Sequence, residues 1–131
     1  MSQPQRFTVV TPEGAAAPQA PYSPGIRAGD FLFVSGQVGI DVSGQLVADD
    51  VTAQARRALG NLEAIVRAAG GRLHDVVKTT VLLADIADFA VVNEIYQDAF
   101  AGGILPARTC YAAGTLPIGA KVEIEATVYL G

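Results

Sequence analysis

Between positions 51 and 69 apolar residues recur at Val51, Ala55, Ala58, Leu59, Leu62, Ile65, Val66 and Ala69. This is the 3.6-residue period of a helix with one buried stripe, and Arg56, Arg57, Glu63 and Arg67 fall mostly outside it. Gly70-Gly71 supplies the stop. The rhythm then changes. Val76 to Leu83 is an uninterrupted, β-branched run, which predicts a central strand. A second helix follows, capped by Asp85, with Phe89, Val92, Tyr96 and Phe100 on its inner face and Gly102-Gly103 at its end. Two strands close the chain, Ala107 to Ala113 and Lys121 to Leu130, separated by GTLPIG. At the front a strand over Arg6 to Val10 leads into the loop TPEGAAAPQAPYSPG. Gly25 to Arg27 and Phe31 to Gly36 then form a hairpin about Ala28-Gly29-Asp30. The order predicts an α+β fold in which two helices cover one face of a mixed sheet. With neither a repeat nor a linker, residues 1–131 read as a single domain.

Alternation in the last strand sorts its side chains. Val122, Ile124, Ala126, Val128 and Leu130 share one face and belong under the helices; Lys121, Glu123, Glu125, Thr127 and Tyr129 share the other. Two helices cannot cover both faces, so the second must meet water or another subunit. Composition favours the subunit: 50% of the 131 residues are hydrophobic and only 17% charged, more apolar than a small monomer needs.

Charge narrows the partners. With 9 Lys and Arg against 13 Asp and Glu, a net charge of −4 and no basic run, the surface is poorly suited to phosphates, so nucleic acid is not an expected partner. MSQPQRFTVV does not read as a cleavable leader, and no apolar run approaches the ~20 residues that span a bilayer. A cytoplasmic protein is expected, in keeping with a lone cysteine, Cys110, which cannot form an internal disulfide.

Three charges then need an explanation. Arg108 stands among small and apolar residues in LPARTC, and Glu123 and Glu125 interrupt an apolar strand. A guanidinium fork fits a substrate carboxylate; on residue type alone an internal salt bridge to Glu123 or Glu125 is the simpler expectation. Glu123 can act as a general base on a water, or it can face solvent on an exposed strand. Cys110 shares the face of Arg108, yet lacks an evident activating base and reads better as a small buried apolar residue. The one histidine, His74, reads as a surface loop residue, with no second histidine to build a metal site. Ser35-Gly36 offers a hydroxyl and a backbone amide to a small anion, or simply ends a strand. No glycine-rich phosphate loop occurs.

Several segments together resemble the RidA (YjgF) family: PYSPG at 21–25, FVSGQVG at 33–39, QARRALGNLEAIVRAAG at 54–70, DVVKTTVLLADIADFAVVNEIYQDAF at 75–100 and PARTCYAAGTLPIGAKVEIEATV at 106–128. The resemblance implies a chorismate-mutase-like α+β fold, assembled as a homotrimer whose sheets form an inner barrel with sites in the clefts between subunits. It also implies cofactor-free, metal-free hydrolysis of reactive 2-imino and enamino acids to 2-keto acids and ammonia. By the same resemblance Arg108 holds the substrate carboxylate, Glu123 is associated with the attacking water, and Tyr22, Ser35, Gly36, Asn93 and Cys110 line the pocket. Two other functions compete: a regulatory protein that binds 2-keto acids in the same cleft, and, less favoured by the acidic balance, an endoribonuclease.

Overall fold

The computed structural model describes residues 6–131; the leader reading draws partly on Met1 to Gln5, outside the described residues. Among the described residues six strands and two α-helices follow in order, with three short 3-10 turns between them: β1 (Thr8–Val10), β2 (Gly25–Ala28), β3 (Phe31–Gln37), α1 (Val51–Ala68), β4 (Val76–Leu83), α2 (Phe89–Ala99), β5 (Ala107–Ala112) and β6 (Val122–Tyr129). The six strands form one sheet in the order β1-β2-β3-β6-β4-β5. Only β4 and β5 pair in parallel, as a strand–helix–strand crossover through α2 requires; the other pairings are antiparallel. The mixed sheet with two helices is the α+β arrangement expected.

The periodic stripe of α1 packs on the sheet. Ala55, Ala58, Leu62, Ile65 and Val66 meet Leu32, Val34, Ile124, Ala126 and Val128, joined by Val92, Ile95, Tyr96 and Phe100 from α2. Fully burying a Leu or Phe side chain stabilises by about 1.5–3 kcal/mol, so this single layer supplies the main driving force. Asp50 caps α1 by accepting from the Ala53 amide at 3.0 Å. The fully buried Gln54 sits one turn in. Its Nε2 donates to Ala48 O and its Oε1 accepts from the Lys121 amide, both at 2.8 Å. Those bonds tie the start of α1 to the start of β6.

Two sequence expectations shift. Strand β1 begins at Thr8 rather than Arg6. Asp85 caps a short 3-10 turn over Ile86–Asp88 rather than α2 itself, accepting from the Ala87 amide at 2.9 Å, and α2 starts only at Phe89. Phe89 is consequently 39% exposed at the head of α2, not on its inner face. His74 is exposed, as expected, and its ring nitrogen lies 3.0 Å from Ala101 O, joining its loop to the end of α2.

Among the described residues no helix covers the opposite face of the sheet. Phe31, Phe33, Tyr111 and Tyr129 are all exposed there, flanked by Thr127, Glu123 and Glu125. Phe31 and Tyr129, paired across β3 and β6, bring their rings to 5.4 Å. This is a broad, partly aromatic surface.

Candidate active site

The predicted site residues separate into two groups. In the first, β3 and β6 fall out of register between Val34 and Gln37: Val34 pairs with Ala126 and Gln37 with Ile124, three residues against two. The extra residue makes a bulge at Ser35-Gly36, which turns the strand and re-aims its side chains. Ser35 Oγ donates to Ser23 O at 2.6 Å, and the Ser35 amide donates to Pro24 O at 2.9 Å. These bonds hold the segment that carries Tyr22, whose ring is half exposed, beside the bulge. Glu123 lies over Gly36, in the space a larger residue would fill. Burial is the main cause that raises the Glu123 carboxyl above the ordinary range, and the negative charge of Glu125 adds to it.

The second group sits on α2 and β5. Arg108 donates from Nη1 to Asn93 Oδ1 at 2.8 Å. Its guanidinium carbon lies 4.9 Å from the centroid of Tyr96 and 5.7 Å from that of Phe89. Phe89, Asn93 and Tyr96 follow i, i+4, i+7 spacing, so one stripe of α2 faces Arg108. Cys110 shares that side of β5 and packs against the core. Burial raises its thiol, against a smaller lowering by Arg108, which disfavours a thiolate.

Strand register places the groups on opposite faces of the sheet. Arg108 pairs with Thr79, which pairs with Ala126; both partners are buried beneath the helices. Glu123 pairs with Leu82, which pairs with Tyr111, on the helix-free face. Directly paired residues project to the same side, so Arg108 and Glu123 point away from one another with β4 between them. The expected internal salt bridge is therefore absent: the ion pairs among the described residues are Arg67–Glu63, Arg72–Asp75 and Lys121–Asp49. The small residues of β5 carry no apolar alternation from which its facing could be read, and that is why the residue types misled.

Two residues that the sequence reading did not single out for the site, Tyr96 and Thr79, lie beside Arg108 or behind it. Tyr96 lies in the core, as its place on the inner face of α2 implies, and its ring also faces Arg108. Among the described residues no group of three or more His, Cys, Asp or Glu is placed to hold a metal ion, and no helix is long and apolar enough to cross a membrane.

Over residues 13–130 the sequence matches the family described as Endoribonuclease L-PSP, the family that contains RidA. The chain is a RidA-family protein. It is 48% identical over 124 residues to the 2-iminobutanoate/2-iminopropanoate deaminase of Mus musculus, covering 94% of this chain and 91% of that one. The Salmonella typhimurium protein of the same name is 45% identical over 121 residues, covering 91% and 94%. Among solved structures, E. coli TdcF with bound serine superposes with a TM-score of 0.89 at 36% identity, covering 95% of this RidA-family chain and 99% of TdcF.

Proposed function

We propose that this protein is a deaminase that hydrolyses 2-imino and enamino acids, 2-iminobutanoate and 2-iminopropanoate among them, to 2-keto acids and ammonia. One observation carries the reading: Arg108 is a half-buried cation whose hydrogen-bond partner is a neutral amide, with no carboxylate within ion-pairing distance among the described residues. A guanidinium so placed is stabilised by an incoming carboxylate, which it can grip with two parallel bonds. Relatives named for this activity, nearly half identical along almost the whole chain, support the same assignment.

The opposed facing of Arg108 and Glu123 supports a site shared by two copies. In a homotrimer the helix-free face, with Phe31, Phe33, Tyr111 and Tyr129, is covered by neighbouring sheets. The Asn93–Arg108–Cys110 rim of one subunit then meets the Tyr22–Ser35–Gly36–Glu123 group of the next. Arg108 fixes the carboxylate, and Glu123 takes a proton from the water as its oxygen bonds to the imine carbon. The C=N π electrons move to nitrogen. Glu123 returns that proton to the nitrogen and then takes the proton of the new hydroxyl, so that the C=O forms as ammonia departs, and Glu123 passes the second proton to solvent. An iminium carbon is already a strong electrophile, so orientation, a water and a base suffice. We place this chemistry in the cytoplasm, where enzymes using pyridoxal phosphate release such intermediates.

The test is to generate 2-iminobutanoate in situ and follow its loss with parent, Arg108→Ala and Glu123→Gln proteins, with an RNA-cleavage assay alongside. Arg108→Ala is expected to lose at least ~100-fold in capture, since charge-assisted bonds contribute about 1.5–3 kcal/mol each. Glu123→Gln is expected to bind 2-keto acid yet turn over slowly. Parent-like rates in Arg108→Ala, or RNA cleavage without imine loss in the parent, would overturn the proposal.

A further inference from the structure

We infer that Tyr96 is a positioning residue: its ring is the platform that fixes the plane of the Arg108 guanidinium, and Thr79 fixes the ring. The inference rests on the reading of Arg108 as the carboxylate clamp and adds what holds that clamp in place.

One hydrogen bond to Asn93 sets one corner of the guanidinium and leaves it free to rotate about that bond. A planar fork must also be held in the plane of the carboxylate it is to meet, or the second bond of the bidentate pair is lost. The Tyr96 ring, 4.9 Å from Cζ, supplies the missing restraint through a cation–π contact. The ring is itself immobilised. Tyr96 is 5% exposed, its ring centroid lies 4.7 Å from that of Phe100, and its hydroxyl is 2.7 Å from Thr79 Oγ1.

Thr79 is the informative member. It is fully buried in β4, on the face where Val81 and Leu83 are plain apolar residues, and it is the register partner of Arg108. Replacing a buried hydrogen-bonded pair with apolar groups of the same shape is often neutral for stability, so packing alone does not call for a Thr–Tyr pair. What the pair adds is a fixed ring orientation beside the residue that the ring supports. Burial, the largest cause, raises the Tyr96 phenol, so it stays neutral at physiological pH and puts no negative charge against Arg108.

The experiment measures steady-state imine hydrolysis by the full-length protein carrying Tyr96→Leu, Tyr96→Phe or Thr79→Val, and Tyr96→Leu also in the Arg108→Ala background. Removing the ring is expected to raise KM about tenfold with kcat changed less, as loss of carboxylate binding would. Tyr96→Phe and Thr79→Val keep a ring but release it, and each is expected to raise KM by roughly threefold. In Arg108→Ala, Tyr96→Leu is expected to change nothing further, because there is no guanidinium left to position. Equal losses in both backgrounds would make Tyr96 merely structural, and parent-like KM values in all three single variants would overturn the inference outright. Should Tyr96→Leu fail to fold, the Phe and Val variants decide alone. If instead Arg108→Ala itself kept the parent rate, the clamp reading would fall first, an outcome distinct from failure of the platform.

Discussion

A Cβ added to Gly36 would stand 2.5 Å from Oε2 of Glu123 and 2.8 Å from its carboxyl carbon. No real Cβ makes such contacts, so the glycine is what lets the carboxylate lie across the β3 bulge. The obstacle is the end of a flexible side chain rather than backbone, so substitution displaces Glu123 without breaking the sheet. Gly36→Ala is expected to fold with a near-parent melting temperature and lose about 10²-fold in kcat, the low end of what a misplaced general base costs. A crystal structure or thermal melt shows the fold; imine turnover shows the loss.

Gly39 gives the opposite outcome. A Cβ there would lie 2.6 Å from both Cα and O of Gln54, in the first turn of α1. Helix backbone cannot step aside as a carboxylate can. Gly39→Ala is expected to cost about 1–3 kcal/mol, read in a urea titration as a lower midpoint, because overpacking a close contact forces backbone shifts.

The pH dependence follows from Glu123. Its folded carboxyl is raised above the ordinary glutamate value of 4.5, mainly by burial. As the proposed base it would work deprotonated, so the rate should fall as pH drops through that raised value, at higher pH than an exposed glutamate would show. For stability the sign is reversed: the folded state holds the proton more tightly, so stability declines as pH rises from 4.5 through the raised value. Glu123→Gln is expected to abolish the acidic limb of residual turnover and to raise the melting temperature at neutral pH by roughly 1–3 °C, a gain that disappears below pH 4.5.

Cys110→Ala is expected to keep most activity, within about fivefold of the parent, because a thiol raised by burial is not a nucleophile at neutral pH. A covalent adduct on Cys110, sought by mass spectrometry after incubation with substrate, would reverse this expectation.

Strong periodicity made much of the fold legible. The 3.6 period over Val51 to Ala69 placed α1 within one residue of its observed end, and the β-branched run gave β4 without error. Alternation in β6 sorted its two faces correctly because Val and Ile contrast with Glu and Thr. The facing of β5 was not legible, since Ala107 to Ala112 has no such contrast and its orientation is set by a parallel pairing 29 positions away, Thr79 with Arg108. The β3 bulge is equally silent in sequence: it exists only relative to β6. Gln54 was hidden because a polar residue on a helix reads as solvated, whereas both ends of its amide are used inside.

Arg108 and Glu123, turned to opposite sides of their own sheet, also carry a genetic consequence. In the homotrimer proposed above, each cleft would borrow the guanidinium from one chain and the carboxylate from its neighbour, so the two defects would complement each other. Impaired Arg108→Ala and Glu123→Gln chains, unfolded and refolded together in equal amounts, would assemble hybrids in which about a quarter of the clefts inherit both intact halves, and turnover would rise above that of either variant alone. By the same count, one Arg108-deficient chain in an otherwise normal trimer silences a single cleft of the three, so a mutant allele would lower activity in proportion to its dose rather than poison the whole assembly.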